Sequence, residues 1–468
     1  MRVARIAGIV AAATVAAVGG AGAAGQETYD QLATEVLREL IEIRTSAAYP
    51  DNTKRLLEGV AARLASEGFT ADDMTLVEAG GTNLVVRYRG SGARRPLLAM
   101  AHVDVVDADP DSWQVEPFVF AESDGYYYGR GTTDNKTGAT SLIVNFIRLR
   151  REGYVPDRDL IMVLTGNEET TMAGIADLAQ QRRELIDAEL ALNSDSGGGV
   201  VDANGEPSSF AIQMAEKRYQ TFELITSNPG GHSSLPRPDN AIYELAHALV
   251  RLQQHRFPIR ISEIARESFR VIGERMPGEA GELLSAAGEE NGDPDAVRRL
   301  AAADPWANST MRTTCVATML RGGHAENALP QSATATVNCR IFPGTEVPSV
   351  QATLERVAAM PGLRVQVLGA PQASPASPLR EDVVEAVTAA VHVGYPGTPV
   401  IPYMAPYGTD GRPVRAGGIP TYGVMGLFIK DSDQFAHGLN ERVSVRSFYN
   451  GLEHWYTMLT RLAGHPAS

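Results

Sequence analysis

Cysteine is almost missing from this chain: only Cys315 and Cys339 occur in 468 residues. Two cysteines cannot build a disulfide-dense framework, so the fold must rest on a hydrophobic core. They sit in TTCVATML and ATATVNCRIF, two β-like runs flanking GGHAENALPQ. One bridge across a hairpin-like pair and two reduced, buried thiols are both open. Positive charge is also short. The formal net charge is −14, with 42 basic against 56 acidic residues, which argues against nucleic acid or an anionic membrane as partner. Beyond the N-terminus no segment approaches the ~18 consecutive apolar residues of a membrane span. Internal repeats and low-complexity tracts are likewise missing outside that leader. What is there, 44% hydrophobic and 21% charged residues over this length, fits two or three globular domains.

The chain opens MRVARIAGIVAAATVAAVGGAGAAG, two arginines before an Ala/Val/Ile-rich run that ends in small residues. This predicts a secretory signal peptide over residues 1–25, with Ala21-Gly22-Ala23 as a cleavage option, and a secreted or periplasmic protein. Apolar residues at helical spacing then predict helices from Tyr29 to Thr45 and from Asn52 to Phe69. The strand-like runs NLVVRYRG, RPLLAMAHVDV and DLIMVLTG, with a helix from about Thr137 to Arg151 between the last two, indicate a layered α/β domain. Near Glu216 the pattern changes to strand, helix, strand, strand, helix, strand, the order of a ferredoxin-like module. The expected organisation is an α/β catalytic domain in two parts, 26–215 and 371–468, interrupted by a small α+β domain at 216–370 that carries an extra helical insert at about 256–311.

Four carboxylate-bearing stretches follow predicted strands or turns, where open α/β sheets gather their ligands. In AHVDVVD, His102 and Asp104 are two apart and share a face of one strand, which suits a metal-binding imidazole steadied by an acid. Asp134 lies in the Gly-rich turn YGRGTTDNKTG, Glu168 and Glu169 stand side by side in LTGNEETTMAGI, and Asp195 ends the apolar run in ALNSDSGGG. His437 sits in the polar loop DSDQFAHGLNER, whereas His247, His255, His392, His454 and His465 have ordinary helical or terminal settings, and His324 reads as a loop residue. Two histidines and three carboxylates can hold two Zn²⁺ ions if one carboxylate bridges, leaving one glutamate free as a base.

In this order, AHVDVVDADPDSWQVEPF, YGRGTTDNKTG, TGNEET, NSDSGGG, GGHSS and FAHG resemble the M20 family of zinc metallopeptidases, across essentially the whole chain after the leader. The family includes glutamate carboxypeptidase, carboxypeptidase S, aminoacylase and succinyl-diaminopimelate desuccinylase. The resemblance implies that His102 and Asp195 hold one zinc, Glu169 and His437 the other, and Asp134 bridges them. It implies Glu168 as general base, Asp104 as the clamp on His102, and a cis peptide bond from Asp134 to Asn135. Co²⁺ or Mn²⁺ could substitute. By the same resemblance His232, in SNPGGHSSLP, supplies a further donor to the developing oxyanion in the partner subunit, Arg340 binds a substrate carboxylate, and Asn327 contacts substrate from the inserted domain. Gly408, in GTDGR, belongs either to a loop near the substrate tail or to an ordinary turn. Ser196 departs from the acid that many relatives carry after the ligand aspartate. The implied function is hydrolysis of a dipeptide or of a C-terminal residue with a free carboxylate. An N-acyl amino acid amidohydrolase is the alternative, and a non-catalytic zinc- or peptide-binding protein the alternative from another class. A homodimer through the inserted domain is implied, although bulky inserts accompany monomers in some relatives.

Overall fold

The computed structural model of the protein describes residues 20–464, apart from 203, 291, 370–374 and 434. The leader expected over residues 1–25 therefore lies mostly outside the described residues, among which no helix is long and apolar enough to cross a membrane.

Before the lid the large sheet takes seven strands: β1 (Met74–Glu78), β2 (Thr82–Tyr88), β3 (Leu97–His102), β4 (Leu160–Thr165), β5 (Leu190–Asn193), β6 (Gly198–Val201) and β7 (Pro207–Glu216). Next, β8 (Arg218–Ser227), β9 (Thr314–Gly322), β10 (Ser332–Ile341) and β11 (Arg364–Leu368) build a separate four-stranded sheet. Then β12 (Val400–Ala405), β13 (Thr421–Gly423) and β14 (Phe428–Lys430) return to the first sheet. Its order is β1-β2-β4-β3-β5-β13-β7-β6-β14, with β12 paired to β7.

Alternate residues on the central strands enter different cores. Leu97, Ala99, Ala101, Leu160, Met162 and Leu164 pack under helices Gly20–Glu42, Pro50–Ser66, Lys136–Arg151, Glu381–Gly394 and Val445–Ala463. Leu98, Met100, Ile161 and Val163 pack against Ala173–Gln180, Arg183–Ile186 and Gly411–Ala416. Burial on both faces is why β3 and β4 read as unbroken apolar runs.

The second sheet has the order β9-β10-β8-β11, all antiparallel, with helices Ala241–Gln254 and Val347–Ala358 on one face. This is the ferredoxin-like arrangement expected of the inserted domain, here called the lid. Cys315 and Cys339 lie directly opposite on β9 and β10 and form a disulfide, which resolves the two alternatives. Between the first lid helix and β9, four helices begin at Glu263, Glu279, Pro294 and Pro305 and close around Phe269, Leu284, Leu300 and Met311. Ser262, Asp293 and Asp304 cap three of them through their side chains, and Pro294 and Pro305 start two. Ile264 of this insert packs against Ala215 and Met404 of the large sheet and Phe342 of the lid, so the insert touches both.

The sequence reading passed over β7 and β12. In β12, VIPYMA, Pro402 contradicts a central strand, but β12 pairs only with β7 and is an edge, where proline is tolerated.

His454 is buried against Phe210, and burial depresses its imidazole to about 3. The unfolded chain titrates this group near pH ~6.5, so between there and the folded value only the unfolded state binds the proton, and stability falls as pH falls. Going from pH 7 to pH 5 should destabilise the parent about 2 kcal/mol more than His454→Leu, read from urea unfolding at both values. Equal losses would mean that the folded protein already carries this proton.

Candidate metal centre and active site

Strands β4, β3 and β5 are parallel neighbours, so their C-terminal ends open on one edge of the sheet. His102 is the last residue of β3 and pairs with Thr165, the last of β4. Glu168 and Glu169 follow Thr165 in a tight turn, and Asp195 lies just past the end of β5. Asp134 arrives from the Gly-rich loop before helix Lys136–Arg151, and His437 from the loop after β14.

Asp134 stands at the middle. Its Oδ1 lies 2.8 Å from His102 Nε2, and its Oδ2 lies 3.2 Å from His437 Nε2. Asp195 Oδ1 is 3.5 Å from the same His102 nitrogen, and Glu169 Oε2 is 3.0 Å from that of His437. The result is two three-residue groups, His102/Asp134/Asp195 and Asp134/Glu169/His437, whose donor atoms lie within 4.8 Å of one another. One oxygen of Asp134 in each group is the donor set that a bridged pair of divalent ions needs, and each group leaves room for a further ligand. The residues therefore fit the two-metal expectation. The peptide bond from Asp134 to Asn135 is cis.

Four contacts hold these ligands. The imidazole of His102 is steadied by Asp104, but through the main chain: Nδ1 lies 2.9 Å from the Asp104 carbonyl oxygen and 3.7 Å from its carboxylate. That carboxylate instead accepts from Glu168 N at 3.1 Å and Glu169 N at 3.0 Å, fixing the paired glutamates. Ser194 Oγ donates to Asn135 Oδ1 at 2.7 Å, and Asn135 Nδ2 reaches Asp195 at 3.4 Å, tying the two aspartate loops. Glycine is required at 138, because a Cβ there would lie 2.1 Å from Asn135 Oδ1 and 2.3 Å from Ser194 Oγ.

Glu441, which the sequence reading did not single out, is the fourth and is fully buried. Its Oε1 accepts from Thr133 N, Thr133 Oγ1 and Asp134 N, and its Oε2 from Gly131 N and Arg130 Nη1 at 2.7 Å. Its place only four residues beyond His437 is the signal that was available.

Electrostatics separates the roles. Burial and then the Asp195 charge push Glu168 well above the usual carboxylate range. Burial likewise raises Asp195 to about 7 and Asp104 to about 6. Burial also works on Asp134, but hydrogen bonds from His102 and His437 outweigh it and hold that carboxyl well below its ordinary value. The bonds to Asp134 and Glu169 raise His437 to about 10. Such a concentration of acids is relieved by bound divalent charge.

The lid residues stand apart. His232 and Asn327 are exposed neighbours where Gly231–His232 pairs with Ala328–Leu329, and among the described residues the His232 ring bonds only Ser234. Arg340 lies over the Tyr219 ring at 4.7 Å on the lid face opposite its helices. Gly408 lies against Arg412 and Glu216. Ser196 Oγ meets the Tyr407 hydroxyl at 3.1 Å, a contact the motifs did not announce.

The family model of peptidase family M20/M25/M40 matches residues 98–461. The chain belongs to peptidase family M20. This M20 hydrolase is 30% identical over 375 residues to the human N-fatty-acyl-amino acid synthase/hydrolase PM20D1, covering 76% of this chain and 71% of that protein. The PM20D1 of Xenopus tropicalis is 28% identical over 374 residues, 78% and 72% of the two chains. Among solved structures, the M20 family metallo-carboxypeptidase Sso-CP2 from Sulfolobus solfataricus superposes with a TM-score of 0.69 at 19% identity, covering 91% of this chain and 98% of that one. The dipeptidase Dug1p from Saccharomyces cerevisiae gives 0.69 at 16%, with 96% and 99% covered. Both structural matches support the same fold, an α/β catalytic domain with an inserted lid.

Replacing Glu441 by Gln should weaken divalent-metal binding by roughly 10–100-fold, the usual effect of losing a group that orients ligands. Chelator competition reads it, and an unchanged affinity would leave Glu441 a purely structural charge.

Proposed function

We propose that this M20 hydrolase is a secreted di-zinc amidohydrolase that cleaves the amide joining an acyl group to an amino acid with a free carboxylate. The observation that carries the reading is Asp134 shared between two ligand groups beside Glu168, a buried carboxylate that belongs to neither. His102 and Asp195 would hold one ion, Glu169 and His437 the other, with Co²⁺ or Mn²⁺ as substitutes for Zn²⁺. When bound, such a pair supplies a polarised carbonyl and water of lowered pKa.

Glu168 takes the proton of the attacking water as its oxygen joins the carbonyl carbon. It then delivers that proton to the departing nitrogen as the C–N bond breaks, leaving a carboxylic acid and a free amine. Glu169 stays on the metal side of the pair, and Asp104 keeps the two apart by gripping their backbone N–H groups. Arg340 captures the substrate's carboxylate, for which a planar guanidinium is suited. His232 and Asn327, exposed on the lid with the His232 ring bonded to Ser234, serve the site of a second copy.

Relatives at 27–30% identity are N-fatty-acyl-amino acid synthase/hydrolases, which favours N-acyl amino acids over the peptides put first by the sequence. Peptide hydrolysis is the second reading, favoured by the carboxypeptidase S-like protein of Dictyostelium discoideum at 23% identity. The leader and the Cys315–Cys339 disulfide support secretion. The second copy would dock on the free edge of β9, where Val316, Met319 and Leu320 are exposed, and on Ile242, Tyr243 and Val250 of the adjoining helix.

Glu168→Gln should abolish turnover of N-acyl amino acids and peptides while both metals stay bound; retained activity would assign the base elsewhere. Light scattering should give twice the chain mass, with Met319→Lys/Leu320→Glu monomeric and inactive. A fully active monomer would remove the second copy from the mechanism.

A further inference from the structure

We propose that Arg412 forms, beside Arg340, a second anion position, so that the preferred substrate is an N-acylated dicarboxylic amino acid whose side-chain carboxylate Arg412 holds. This rests on the amide-hydrolase reading above and adds a substrate class to it.

Three basic side chains stand around the crossing from the large sheet into the lid at Glu216 and Lys217. Arg340 is on the lid side, with the Tyr219 ring as its recorded contact. Arg412 is on the catalytic side: its Nη2 lies 3.4 Å from Sδ of Met172, in the loop that carries Glu168 and Glu169, and its buried Nε has no acceptor. Lys217 is fully buried and donates to Ser309 O at 2.9 Å and Thr314 Oγ1 at 3.1 Å. Thr314 stands directly opposite Arg340 in the β9–β10 register.

None of the three has an ion-pair partner among the described residues. Glu216 is close by, since a Cβ on Gly408 would lie 3.2 Å from Arg412 Nη1 and 3.7 Å from Glu216 Oε2. Its carboxylate is committed to Arg415, Gln213 and both the amide and hydroxyl of Thr409. Burial and the Arg340 charge lower Lys217 to about 7, and burial and the Arg412 charge lower Arg340 in turn. Like charges crowded into a partly desolvated junction favour an anion over a neutral group.

A single α-carboxylate is satisfied by Arg340 in a bidentate pair and leaves Arg412 unused. A glutamate or aspartate leaving group engages both, one from the lid side and one from the catalytic side. Lys217 is sealed from the ligand and adds only its field.

The test uses the metal-loaded mature protein. N-acetyl-glutamate should exceed N-acetyl-glutamine in kcat/KM by about tenfold or more, the scale of one charge-assisted hydrogen bond. Arg412→Gln should bring that ratio near one, and Arg412→Lys should keep part of it. Because the ratio is internal to each variant, partial misfolding does not move it. Calorimetry of the free amino acids supplies a readout without turnover, glutamate binding tighter than glutamine in the parent and equal in Arg412→Gln. Similar hydrolysis and binding of both pairs would overturn the anion position and leave the hydrolase reading standing. Glutamate selectivity in binding without hydrolysis of either amide would do the reverse. A preference for N-succinyl-leucine over N-butyryl-leucine with none for glutamate would move the anion to the acyl half and overturn the assignment made here.

Discussion

The carboxylate of Glu441 is the contact on which the centre depends. It is buried, and five hydrogen bonds from Arg130, Gly131, Thr133 and Asp134 converge on it. A buried charge without such partners costs several kcal/mol, so the Gly-rich loop must close around it. Closing brings Asp134, from the first half of the chain, against His437, from the C-terminal segment. His437 accepts a left-handed backbone, φ 62°, that is uncommon for a residue with a side chain. With this clasp open, the donor shared by the two ligand groups would have no fixed position.

The remaining contacts divide charge rather than merely gather it. Asp104 lends its carbonyl to His102 and its carboxylate to the backbone of the paired glutamates. That leaves the side chain of Glu169 near His437 and that of Glu168 outside both ligand groups. Lys136 is anchored, fully buried, on the carbonyls of Leu40 and Ile43, so the first helix holds the start of the helix behind Asp134. At the crossing into the lid the imbalance reverses: Lys217, Arg340 and Arg412 have no ion-pair partner among the described residues. On the proposed reading, this acid-rich centre and base-rich junction together orient an anionic substrate with its amide toward the ligand groups.

How much of this was legible depended on distance along the chain. The candidate ligands stood out because most end a strand or open a turn, which is a local property, and the resemblance to the M20 family then assigned their roles. The two central strands and the helix Lys136–Arg151 were found from local pattern too. β12 was not, because a proline in a short apolar run argues against a strand until its edge position is known. Glu441 was also passed over, and Arg412 entered only as the end of the GTDGR stretch. Each is an ordinary charged residue in a polar stretch, and its meaning lies wholly in partners far away in sequence.

The sequence by itself determined the donor types, their order, the free glutamate beside a ligand glutamate, and the βαββαβ module set into an α/β domain, because these follow from residue chemistry and periodicity. Only the tertiary structure decided that one aspartate faces both histidines, that the Asp104 carboxylate serves the glutamates, that the two cysteines are paired, and that Arg340 and Arg412 have no ion-pair partner among the described residues. Those are relations between segments brought together by packing, and no local pattern encodes a distance across the fold.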